Sequence, residues 1–212
     1  MGKLLLFDCD GTLLHTYDLI AETFRQTFEL CLPNQTYTEK DIRSYFGPTI
    51  NDTFRFLSNS EEKYEELMST YRKINLELHP SYIHAYPNVK STLSFLKSRG
   101  YDIAIVSNKM KHVIRYGLEL TGLSDLIECI IGSDTVDVPK PDPMGIRMAM
   151  KHYNMNQAMM IGDSIIDLQA AKRAKIPFVG VTWAHVTKQE FQDEGADYVI
   201  DDMVELLGIL GE

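Results

Sequence analysis

Cysteine is scarce and badly placed for cross-linking: Cys9, Cys31 and Cys129 are odd in number and widely separated, with no CxxC pair among them. That pattern excludes a disulfide scaffold and a cysteine-based zinc module, and it leads us to expect reduced thiols in a reducing compartment. No apolar run reaches membrane-spanning length, so no membrane association is expected. Met1-Gly2-Lys3 leads straight into apolar residues without a basic segment and apolar leader, and the expected location is cytoplasmic. Positive charge is also in deficit, with 21 Lys and Arg against 30 Asp and Glu and a net charge of -9. The balance argues against a nucleic-acid binder that works by neutralising phosphates. It leaves room for a small anionic ligand, because a few local cations override the global field. Internal repeats, low-complexity tracts and charge blocks are missing as well.

What remains is an ordinary globular composition, 44% hydrophobic and 24% charged over 212 residues, enough for one large domain with a smaller insert. Leu4-Leu5-Leu6-Phe7 reads as a short, fully buried strand. Asp8 falls where it ends, and Asp10, Gly11 and Thr12 follow. In an open parallel sheet ligands gather outside the carboxyl ends of strands, so reactive groups belong at such a place. Gly11 lets the backbone approach a bound group closely, and Thr12 adds a hydroxyl donor. Asp and Gly after a strand also make simple turns, so this stretch alone decides nothing.

From His15 to Ile83 the pattern is helical. Leu19, Ile20, Phe24, Thr27, Phe28 and Cys31 recur at helical spacing. Short helices are predicted from Asp41 to Phe46, ending at Gly47, and from Pro48 at a first helical position. Ser58-Asn59-Ser60-Glu61 opens a charged helix running to about Leu78. After Pro80 and Pro87, strands predicted at 101–107, 126–131, 158–161, 178–181 and 198–200 alternate with helices. Such alternation implies right-handed crossovers and a doubly wound parallel α/β sheet. The expected division is a Rossmann-like core formed by residues 1–14 and 85–212, with residues 15–84 inserted as a four-helix cap.

Further motifs follow in order: Ile103-Ala104-Ile105-Val106-Ser107-Asn108-Lys109, then Lys140-Pro141-Asp142-Pro143, then Ile161-Gly162-Asp163-Ser164-Ile165-Ile166-Asp167. With Asp8-Cys9-Asp10-Gly11-Thr12, they make a set that resembles the haloacid dehalogenase-like hydrolases in both content and order. The resemblance implies that Asp8 is a nucleophile forming an aspartyl-phosphate and that Asp10 protonates the leaving oxygen and later activates water. It also implies that Ser107 and Lys140 bind the transferring phosphoryl group, with Gly11, Thr12 and Asn108 beside it. Presence of Asp10 favours a phosphoryl substrate over a carbon–halogen bond, since the dehalogenase branch lacks that residue.

Asp8, Asp10, Asp163 and Asp167 are the expected metal ligands. Carboxylates crowded into one crevice call for a hard divalent cation, and oxygen-only ligation suits Mg²⁺. No His or Cys stands beside them in sequence, which counts against zinc.

Arg43 to Thr53, including Gly47 and Thr49, is similar to the cap segment of the phosphoglycolate phosphatase and pyrophosphatase branches. The likeness extends to Tyr71-Arg72 and Gly180-Val181-Thr182-Trp183. It places Gly47 and Thr49 among the substrate-binding residues and implies that a closing cap sets specificity. The implied substrate is a small phosphorylated metabolite such as phosphoglycolate, or pyrophosphate, handled by a monomer or homodimer. A β-phosphoglucomutase-like mutase and a catalytically idle phosphate-binding module are the competing readings. Three departures from the family stand out: His15-Thr16 in place of Asp-Ser, Asn88 in place of Gly, and Ser164 in place of Thr.

Overall fold

The computed structural model describes residues 4–46 and 48–212, and the chain divides into two units, 1–15 with 84–212 and 16–83. Expectations that rest on Met1-Gly2-Lys3 and on Gly47 lie outside the described residues.

Leu4–Phe7 forms β1, and all four side chains are fully buried. Burying such residues stabilises the fold by roughly 1.5–3 kcal/mol each, which puts β1 at the centre of the sheet. A two-stranded antiparallel ribbon follows in sequence, β2 (Leu14–His15) with β3 (His84–Ala85), at the points where the chain leaves and re-enters the α/β unit. The main sheet continues with β4 (Asp102–Val106), β5 (Cys129–Ile131), β6 (Met159–Gly162), β7 (Phe178–Val181) and β8 (Tyr198–Ile200). Among the described residues it has six strands in the order β5-β4-β1-β6-β7-β8, every pair parallel. The doubly wound α/β class expected from strand–helix alternation is the class observed.

Register decides which residues meet. Phe7 pairs with Ile105 of β4 and with Ile161 of β6. Continuing by one and two residues brings Asp8, Ser107 and Asp163 to the same edge of the sheet. Strand order runs outward in both directions from β1, so this edge is also the topological switch point, where crevices open in such folds.

The second unit contains α1 (Tyr17–Cys31), α2 (Glu39–Ser44), α3 (Ile50–Leu57) and α4 (Glu61–Tyr82). Its interior is aromatic: Phe24 meets Phe54 edge-on at 5.9 Å and Tyr71 at 5.1 Å, and Phe28 lies 4.4 Å from Tyr37. Two local expectations need correction. Pro48 precedes the cap of α3 rather than occupying its first turn, because the Thr49 hydroxyl caps the Asp52 amide. Helix α4 runs through Pro80 instead of stopping near Leu78. Near a helix end the missing amide removes only one bond, and His79 Nδ1 lies 2.6 Å from the Asn75 carbonyl in the same turn.

The remaining helices are α5 (Val89–Ser98), α6 (Lys111–Thr121), α7 (Met144–His152), α8 (Ile165–Ala174), α9 (Lys188–Asp193) and α10 (Glu205–Leu210). Asn88 stands at φ 61°, so the positive-φ turn survives the loss of glycine.

Candidate active site

Asp8 is anchored by its own backbone, whose amide donates to the Ile161 carbonyl at 2.9 Å. Its carboxylate lies 3.0 Å from Lys140 Nζ, and the same ammonium donates to Asp167 Oδ1 at 2.5 Å. Lys140 is held from behind by Asn108, whose side-chain amide accepts from the Lys140 N–H and donates to the Lys140 carbonyl, both at 2.9 Å. The Lys140 side chain is only 3% exposed. Burial alone would lower its pKa, but the charges of Asp167 and Asp8 outweigh that and hold the ammonium above its usual range.

Asp163 and Asp167 arrive on the turn between β6 and α8. Ser164 caps α8 by accepting from the Asp167 amide, and its own amide and hydroxyl donate to Asp167 Oδ2. Thr12 donates to Asp163 Oδ1 at 2.9 Å, tying the loop after β1 to the loop after β6. Two glycines make room. Gly11, at φ +74°, leaves space that any Cβ would take from the Asp163 carboxylate, and a Cβ on Gly162 would lie 2.6 Å from the Asp167 carboxylate.

Oxygens of Asp8, Asp163 and Asp167 lie within 4.8 Å of one another. Burial, reinforced by neighbouring acids, pushes the Asp8 carboxyl up to about 6 despite Lys140, and it pushes Asp163 well above the carboxylate range. Asp8 Oδ1 is buried and faces the Lys140 ammonium at 3.0 Å. Three carboxylates this close together, offering only oxygen atoms, fit a hard divalent cation.

The structure gathers Asp8, Ser107, Asn108, Lys140, Thr12, Gly11, Asp163 and Asp167 around one edge of the sheet. Two of the predicted site residues have other partners in the structure. The Asp10 carboxylate stands apart from the three-acid cluster, because Lys109 Nζ donates to it at 2.8 Å. Thr49 lies in the helical unit, where its hydroxyl is committed to capping α3 and donates to Asp52 Oδ2 at 2.6 Å.

Two residues gained partners that sequence reasoning had not assigned. Lys109 was visible as the last residue of the Ser107-Asn108-Lys109 run, and a second ammonium facing a second acid was the available signal. Trp183 Nε1 donates to the Thr12 carbonyl at 3.3 Å, steadying the loop that carries Asp10.

The site thus combines a carboxylate at the end of the central strand, a buried lysine and a three-carboxylate cluster at the sheet's switch point. The family model of haloacid dehalogenase-like hydrolases matches residues 5–181. The pyrophosphatase PpaX of Listeria monocytogenes is 37% identical over 99% of this chain and 97% of its own length, and that of Listeria welshimeri is 38% identical over the same shares. Among solved structures, a protein from Bacteroides fragilis assigned to the haloacid dehalogenase-like hydrolases superposes with a TM-score of 0.88 at 29% identity, covering 97% of this chain and 100% of its own. One from Haemophilus somnus predicted to be a phosphoglycolate phosphatase shares the fold at a TM-score of 0.90 and 23% identity, covering 99% and 98%. The chain belongs to the haloacid dehalogenase-like hydrolase family and is an enzyme of it.

Proposed function

We propose that the protein is a Mg²⁺-dependent phosphatase that works through an aspartyl-phosphate on Asp8, with pyrophosphate as the leading substrate. The observation that carries the proposal is the Asp8 carboxylate at the end of β1, 3.0 Å from the Lys140 ammonium and clustered with Asp163 and Asp167. Full-length relatives at 37–38% identity that are pyrophosphatases support the choice of substrate.

The chemistry divides among named residues. Asp8 attacks phosphorus, a P–O bond to the leaving group breaks, and Asp10 gives its proton to the departing oxygen. Water then attacks the phosphorus of the aspartyl-phosphate as Asp10 takes up the water's proton, so phosphate leaves and both acids regain their starting forms. Lys140 neutralises Asp8 and the phosphoryl oxygens, and Ser107 and the Asp8-to-Thr12 loop place hydrogen-bond donors around them. A Mg²⁺ ion held by Asp8, Asp163 and Asp167 would polarise the phosphoryl oxygens as a Lewis acid and offset the charge that develops there. Residues 15–84, as a cap on a core of 1–14 and 85–212, would set which leaving groups are accepted.

The test is turnover of pyrophosphate, phosphoglycolate, sugar phosphates and nucleotides with Mg²⁺, alongside Asp8→Asn. Released phosphate with pyrophosphate foremost, lost on chelation and in the variant, is expected. Undiminished turnover by Asp8→Asn would refute the mechanism, and isomerised sugar phosphate without released phosphate would make the enzyme a mutase.

A further inference from the structure

We propose that Lys109 forms an anion subsite for the leaving group, so that the enzyme selects substrates whose leaving group carries its own negative charge. The inference rests on the phosphatase reading above and specifies the substrate class for the same site.

Two ammonium groups enter this site, and they are differently employed. Lys140 is held by two carboxylates, Asp8 and Asp167, and its side chain is sealed at 3% exposure. Lys109 is shared with a single acid, Asp10, and the pair stands nearer solvent, at 12% and 23% side-chain exposure. An ammonium carries three N–H donors, and the bond to Asp10 uses one of them.

Its position is set by the backbone rather than by chance. The Lys109 amide donates to Ser107 Oγ at 3.3 Å, and its carbonyl accepts from the Ser133 amide at 3.0 Å. The residue is therefore pinned on the short turn between β4 and α6, next to Ser107, to which the proposed mechanism gives the phosphoryl group. Burial would on its own lower the Lys109 pKa, but the charge and hydrogen bond of Asp10, together with the nearby Cys9 and Asp8, outweigh it and hold the ammonium above its usual range.

Placement follows from the chemistry of Asp10. The group that protonates the leaving oxygen must stand beside the leaving half of the substrate, and Lys109 is hydrogen-bonded to that group. Lys140 thus faces the phosphoryl half through Asp8, while Lys109 faces the half that departs. A leaving group with an anionic oxygen, such as the second phosphate of pyrophosphate or a carboxylate close to the ester oxygen, finds a charge-assisted donor there. A neutral alcohol finds only a desolvated ammonium.

The test compares pyrophosphate with phenyl phosphate, whose leaving group bears no charge in the ground state, in the full-length wild type and in Lys109→Met and Lys109→Arg. Loss of one charge-assisted hydrogen bond predicts a fall in kcat/KM for pyrophosphate of about 10- to 100-fold in Lys109→Met, mainly through KM, with a markedly smaller fall for phenyl phosphate. Lys109→Arg should recover part of the pyrophosphate activity. Equal losses on both substrates, the result for a residue that only supports Asp10, would overturn the inference, as would no loss on either. Should the methionine variant not fold, wild-type inhibition decides with Mg²⁺ in excess: methylenebisphosphonate is expected to bind at least about 10-fold more tightly than methylphosphonate, and equal binding would overturn the subsite. A wild type inert toward every phosphate would sink the phosphatase reading itself, and the subsite with it.

Discussion

Both units of this chain have apolar interiors, but among the described residues the buried lysine and aspartate lie in the α/β unit. In the α/β unit Lys140, Asp167, Ser107 and Thr12 are buried at the strand ends, beside a partly exposed Asp8. In the helical unit Phe24, Phe28 and Phe54 fill the interior, and exposed Thr38 and Ser60 serve as helix caps. Charge taken out of water is tolerated only where partners are fixed, and here the strand ends fix them. Aromatic packing needs no such precision and adds stability instead. One unit therefore spends stability on a reactive arrangement, while the other is built like an ordinary helical core.

That contrast can be broken from either side. The largest effect is expected in Asp8→Asn, which removes the proposed nucleophile and should lower kcat by at least about 10⁴-fold, measured as phosphate release. Far-ultraviolet circular dichroism should be unchanged, and a Mg²⁺-induced rise in Tm seen with the wild type should shrink. Next is Lys140→Met, which leaves the buried Asp167 and its neighbour Asp8 without their cation. Denaturant titration should show a loss of about 3–5 kcal/mol together with loss of turnover. Phe54→Ala should cost a similar 3–5 kcal/mol through a cavity in the helical unit, detectable in the same titration, without touching the carboxylate cluster. Smallest is Thr49→Ala, which removes the cap of α3 and should cost about 1 kcal/mol. A Thr49→Ala effect confined to KM, with stability intact, would instead mark that residue as a substrate contact.

Much of this was legible in the chain itself. An apolar run of four followed by Asp8 gave β1 and its reactive end, because a strand buried on both faces needs continuous hydrophobicity and a ligand needs a strand end. Gly122 closing α6 in the left-handed conformation and Asn88 at positive φ were likewise readable, since few residues adopt that backbone.

Other features were not local, and so they were not readable. The β2–β3 ribbon pairs His15 with His84 across 69 positions, and only two residues on each side take part, too few to leave an alternating pattern. Nothing in the spacing of Asp8 and Asp10 says that the second carboxylate turns to Lys109 while the first joins Asp163 and Asp167. That choice is made by a lysine about a hundred residues away in sequence. Helices α9 and α10, six residues each, are short enough for capping and tertiary packing to decide them rather than periodicity.

The most direct test of the central claim is to look for the phosphoryl group on the protein. Pyrophosphate turnover would be quenched rapidly, the acyl phosphate trapped by borohydride reduction, and the peptides mapped by mass spectrometry. The account predicts reductive conversion at Asp8 and at no other acid. Trapping at another residue, or brisk turnover with Asp8 unmodified at every quench time, would contradict it.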